Sequence, residues 1–256
     1  MDKLKIKQKR NIDKLIALAL CILLIFIGGY LFYKNDTKPN TPKQTNKTTK
    51  KPTPKQNVGF DKSAYSIDTP GSIWWIVGKK RPLPEGYVAP DLVTPKVTIN
   101  NKKSAAENTL RSEAASALEK LFADAKVAGY DFMLASGYRS SELQAVYYNN
   151  LVATSGQAEA DRFSAKPGTS EHQTGLSLDV ARADRKLYLE QTFGKDPSGK
   201  WLADHAHIYG YIVRYPEGKE ASTGYNYEPW HIRYVGNELA NELHTKQQTM
   251  EEFFGL

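Results

Sequence analysis

Three patterns of apolar and polar positions divide the chain. Residues 15–33 form an uncharged run, LIALALCILLIFIGGYLFY, preceded by a basic stretch at residues 1–14. At about 1.5 Å per residue, a helix of that length reaches about 28 Å, close to the hydrocarbon thickness of a bilayer. A buried core helix keeps a polar face, and this run has none, so it predicts a transmembrane anchor. Residues 34–57 invert the pattern: they are Lys, Thr, Asn and Gln with Pro39, Pro42, Pro52 and Pro54. Such a segment buries too little surface to fold and predicts an extended linker. Only residues 58–256 carry the periodicities of packed secondary structure.

Within that region, Leu110, Ala114, Ala117, Leu118, Leu121, Phe122 and Ala125 recur at helical spacing and Gly129 follows, predicting a helix over Ser104–Ala128. Phe132–Ala135 predicts a short strand, and Ser140–Val152 a helix with Leu143, Val146 and Tyr147 on one side. Leu176–Val180 alternates, turning Leu176, Leu178 and Val180 to a core and Ser177 and Asp179 the other way. Trp201–Tyr209 predicts a short helix closed by Gly210; strands follow at Tyr211–Tyr215 and Trp230–Val235, then helices at Asn237–Lys246 and Met250–Phe254. The mixture lacks regular βα alternation or repeats. It predicts an α+β fold, one compact domain whose mostly antiparallel sheet is flanked by helices.

Charge sharpens this division. The chain has a net charge of +7, but residues 1–57 hold 13 of its 35 Lys and Arg against Asp2, Asp13 and Asp36, leaving 22 basic and 25 acidic residues in 58–256. A mildly acidic folded region lacks the basic surface that nucleic-acid binding needs, and that function is excluded. The cationic tail before the apolar run orients the N-terminus inside the cell and places residues 58–256 outside. An uncleaved anchor is favoured over a cleaved signal peptide, because no A-x-A site closes the run. The expectation is a single-pass protein of the cell membrane, working on the wall side at the end of a stalk. The one cysteine, Cys21, rules out a disulfide framework and a thiolate metal cluster, so any metal must be held by His, Asp or Glu.

The five histidines differ in promise. His205 and His207, two apart on the expected helix, point about 200° apart and do not grip one ion; His244 reads as a surface residue. His172 lies in the loop KPGTSEHQTG just before the strand that presents Asp179, and His231 lies in EPWH, three residues after Glu228. Two imidazoles and one carboxylate suffice to hold a catalytic Zn2+ with a position left for water, and Glu228 then reads as the free carboxylate that relays protons. General acid–base help of that kind is worth about 10²- to 10⁴-fold. On spacing alone, ordinary polar loop residues remain an alternative.

The blocks SGYRSSELQ (136–144), SAKPGTSEHQTGLSLDV (164–180), WLADHAHIYGYIVRYP (201–216) and TGYNYEPWHIRYVG (223–236) closely resemble those of VanY-type D-alanyl-D-alanine carboxypeptidases, zinc metallopeptidases of peptidoglycan. RPLPEGYVAPDL (81–92) resembles that family's leading segment. The resemblance implies His172, Asp179 and His231 as zinc ligands and Glu228 as general base. It implies that Arg139 faces the substrate beside the metal as a substrate-binding and catalytic group, with Ser170 and Gln144 lining the same pocket. Trp230 and Tyr138 are expected in the wall and core, and Ser177 departs from the small apolar residue usual at its place. The implied reaction is removal of the terminal D-alanine from peptidoglycan stem peptides. The rivals are L,D-carboxypeptidase action on tetrapeptide stems and a non-catalytic wall-binding module, the latter having no use for a free Glu228 beside the ligands.

Overall fold

The computed structural model describes residues 60–256, which fall within one compact unit. The expected basic tail, anchor and linker (1–14, 15–33 and 34–57) lie outside the described residues; among the described ones, no helix is long and apolar enough to cross a membrane.

Among the described residues, six strands and seven α-helices follow in order. They are β1 (Leu92–Val93), β2 (Leu110–Arg111), α1 (Ser112–Val127), β3 (Phe132–Ser136), α2 (Ser141–Ser155), α3 (Gln157–Phe163), β4 (Ser177–Arg182), α4 (Pro197–His205), β5 (Tyr211–Tyr215), α5 (Glu220–Thr223), β6 (Glu228–Tyr234), α6 (Asn237–Lys246) and α7 (Met250–Phe254). β1 and β2 pair separately, while the main sheet is antiparallel in the order β3-β4-β6-β5. The expected α+β class and antiparallel sheet with flanking helices are borne out.

One face of the sheet, carrying Leu134, Leu178, Val180 and Ile232, packs on Leu110, Ala114, Leu118 and Leu121, so the amphipathic stripe of α1 is covered. A second apolar cluster joins Ile76 and Ile212 to Leu239, Leu243, Met250 and Phe253 of α6 and α7. With both faces of β4 and β6 covered, their burial is nearly continuous rather than alternating. The polar residues of these central strands are therefore enclosed. Two irregularities of register lie beside them, between Leu134 and Ser136 opposite Asp179 and between Val213 and Tyr215 opposite Glu228. Bulges of this kind bend a strand and re-aim its side chains.

The first expected helix starts later than its periodicity suggests. Ala106–Asn108 is a 3-10 turn, and Leu110 sits in β2 before the helix begins at Ser112. The Ser104 hydroxyl donates to Glu107, and the Asn108 amide donates to the carbonyls of Asn100 and Ser104. These local bonds compete with helical ones. Leu110 is fully buried nonetheless, which is why it matched the helical count. α3 was not among the expected elements, and His244 is not a free surface residue: its ring stacks on His207 at 3.7 Å.

Candidate metal centre

His172 enters the site on a 3-10 turn (Glu171–Thr174) that ends in a left-handed Gly175. The following strand carries Asp179, whose register partner on β6 is His231. Antiparallel pairing turns directly opposed residues to one face, so the ladder itself joins carboxylate to imidazole across about fifty residues of sequence. The three residues are 5, 5 and 4 % exposed, and one ligand atom from each lies within 4.8 Å of the others.

The orientation of each donor has a cause. The Nδ1 of His172 donates to the carbonyl of Gly137 at 2.7 Å, which leaves the Nε2 lone pair 3.5 Å from Asp179 Oδ2. Gly137 is required here because a Cβ at this position would meet the Thr109 carbonyl oxygen at 2.4 Å. His231 places Nδ1 3.2 Å from Asp179 Oδ1 and 3.8 Å from Glu228 Oε2. Its Nε2 is buried without a hydrogen-bond partner among the described residues and lies 3.8 Å from Glu171 Oε2.

The electrostatics favour a cation at this point. Burial opposes ionisation of Asp179, but the two histidines hold its carboxyl well below the usual range. Burial, together with the Arg139 charge, pulls His172 below its ordinary value. Burial also works against charge on His231, yet Asp179, Glu171 and Glu228 push it up to about 9. The carboxylates thus call for positive charge where three nitrogen and oxygen donors converge, and a divalent ion fits that demand. Burial, aided by Asp179, raises Glu228 to about 8 against the opposing pull of His231 and Arg139.

A cleft of about 730 Å³ opens onto these groups, and its wall includes Arg139, Gln144, Ser170, Glu228 and Trp230. Arg139 donates Nη1 to Gln144 Oε1 and Nη2 to Ser136 Oγ, both at 2.9 Å, while its Nε has no partner. It stands 3.9 Å from Asp179 Oδ2. Gln144 is almost fully buried, and its amide also donates to Ser164 Oγ and the Ala165 carbonyl, so it braces the cleft wall. All seven expected site residues therefore border one cleft. His205 and His207 do not join them: His205 stacks on Trp201 and bonds its carbonyl.

Sequence reasoning missed the groups behind the cluster. Glu171 is wholly buried; its Oε1 accepts from Arg214 Nε (2.8 Å) and Arg233 Nη1 (2.9 Å), and its Oε2 accepts from Ser177 Oγ (3.0 Å). The departure at Ser177 thus supplies a hydrogen bond. The signal was present in the sequence: Arg233 follows His231 by two, and Ser177 precedes Asp179 by two, so each pair shares a strand face.

The model of the VanY family, D-alanyl-D-alanine carboxypeptidase, matches residues 107–237, a span that includes every expected site residue. The chain belongs to this family. It is a carboxypeptidase, 41% identical over 189 residues to the putative carboxypeptidase YodJ of Bacillus subtilis, a match covering 74% of this chain and 69% of that one. The solved structure of the LdcB LD-carboxypeptidase is 41% identical with a TM-score of 0.68, covering 73% of this chain and 87% of that one. A vancomycin-resistance D,D-pentapeptidase VanY in complex with Zn(II) is 30% identical with a TM-score of 0.58, covering 70% and 97% respectively.

Proposed function

We propose that this VanY-family enzyme hydrolyses the bond before the C-terminal D-alanine of peptidoglycan stem peptides, with His172, Asp179 and His231 holding Zn2+. The observation that carries this reading is the convergence of the three buried donors within 4.8 Å, with the Glu228 carboxylate 3.8 Å from His231. Zinc bound there supplies a Lewis acid that acidifies water and polarises the scissile carbonyl. Glu228 takes the proton of the attacking water and returns it to the leaving amine; a carboxyl raised toward neutrality suits both transfers. Arg139, whose side chain lines the cleft, receives the terminal carboxylate or the developing oxyanion. Ser170 and Gln144 line the pocket around it.

The test is purified protein given pentapeptide and tetrapeptide stems, with product masses read with and without a chelator. Loss of one D-alanine from the pentapeptide, stopped by chelator and restored by zinc, supports the reading. No cleavage of either stem with zinc present overturns it. The likeness to LdcB favours a second reading, L,D-carboxypeptidase action, for which only the tetrapeptide is shortened. The anchor and linker belong to the same proposal: residues 15–33 tether the enzyme on the wall side of the membrane. Recovery of the full chain in the soluble fraction of lysed cells contradicts the tether.

A further inference from the structure

We propose that Tyr147 is the positioning residue for Arg139, held in place by the half-buried Lys103 and the buried Glu107. The inference rests on the reading of Arg139 as the group that receives substrate charge. Two hydrogen bonds, to Gln144 and Ser136, fix the guanidinium within its own plane. They leave it free to tilt out of that plane. The Tyr147 ring removes this freedom, because the guanidinium carbon sits 4.9 Å from the ring centroid. Gln144 and Tyr147 are three apart on α2, so the helix presents amide and ring side by side.

The ring is itself anchored. Its hydroxyl donates to Glu107 Oε1 at 2.6 Å and accepts from Lys103 Nζ at 2.8 Å; Lys103 also pairs with Glu107 at 3.0 Å. The backbone N–H and the hydroxyl of Ser104 satisfy the other Glu107 oxygen. Glu107 further accepts, through its carbonyl, the N–H of Gly137 at 2.6 Å, two residues before Arg139. One residue therefore fixes both the backbone that carries the arginine and the ring that faces its side chain. Tyr147 belongs to none of the apolar core clusters, so packing does not account for it.

The experiment compares Tyr147→Phe and Tyr147→Leu in the zinc-loaded full chain, each alone and combined with Arg139→Lys. The readouts are stem-peptide kinetics, inhibition by D-alanine, and melting temperature. Tyr147→Leu is expected to lower kcat/KM and weaken D-alanine inhibition by about tenfold, and Tyr147→Phe, which keeps the ring, by about threefold or less. Combined with Arg139→Lys, either change adds little, because the effect passes through the guanidinium. Full additivity, or a leucine variant that matches wild type while folded, overturns the inference. If the leucine variant does not fold, the phenylalanine pair decides by the same additivity criterion. A wild-type enzyme that cleaves no stem peptide instead removes the functional reading itself, a different outcome from wild-type cleavage that Tyr147 does not influence.

Discussion

Two polar clusters sit side by side on the same face of β4 and β6, two residues apart along each strand. Behind lies Glu171 with Ser177, Arg214 and Arg233, where Arg214 continues to Glu251 (2.9 Å) and Arg233 to the carbonyls of Ile73, Trp75 and Tyr234. In front lies His172 with Asp179, His231 and Glu228, whose closest mutual approaches are 3.2 to 3.8 Å. Both are deeply buried. The rear cluster consumes its own donors and acceptors and serves as architecture, whereas the front cluster aims lone pairs into a cleft and needs something to complete it. Burial of charge alone does not mark a site; burial with bonding capacity left open toward a cavity does.

The largest effect expected from breaking this contrast is at Arg233. Replacing it in Arg233→Met leaves Glu171 short of a partner and is expected to destabilise the protein by about 3–5 kcal/mol in chemical denaturation. His172→Ala, one residue from Glu171, is expected to remove turnover while changing metal-free stability far less. Next comes the ion: zinc at a hundredfold excess over its Kd is expected to add about 2.7 kcal/mol to wild type, read as a rise in melting temperature, and nothing comparable to His231→Ala.

A third cluster, Lys103–Glu107–Tyr147, belongs with the closed kind and is tested by pH. Burial would raise the Glu107 carboxyl, but bonds from Tyr147, Ser104 and Lys103 hold it at about 2, below its unfolded value. Its stabilisation is therefore complete above the unfolded pKa near 4.5 and is lost as pH falls toward 2. Glu107→Gln is expected to be less stable than wild type by roughly 2 kcal/mol at neutral pH, with the gap closing in that acid window. The smallest effect is at Ser177: Ser177→Ala removes one of three bonds to Glu171 and is expected to cost about 1 kcal/mol, with zinc affinity nearly unchanged.

The helices after Gly236 and the strand at Tyr211–Tyr215 were legible residue by residue, because glycine stops and clear periodicity agree there. The site was legible as a set of residue types, since two histidines, an aspartate and a glutamate carry their chemistry in their identity. What periodicity could not supply was the company they keep. Gly137 reads as loop until the Thr109 carbonyl is seen against it, and Tyr147 reads as one more aromatic on a helix face until Arg139 lies over its ring. Arg233, in the middle of a strand, is buried with Glu171 and is a structural ion. The contacts of Gly137 and Arg233 join segments far apart in sequence, and the Arg139–Tyr147 contact depends on how the loop after β3 turns into α2.

The most direct test measures metal content and turnover together in wild type and Glu228→Gln. One zinc per chain is expected in both proteins, with stem-peptide cleavage in wild type and none detectable in the variant, because the three proposed ligands are intact and only the proposed proton carrier is gone. A variant that keeps near-normal turnover, or a wild-type enzyme that cleaves its substrate after complete removal of metal, would contradict this expectation.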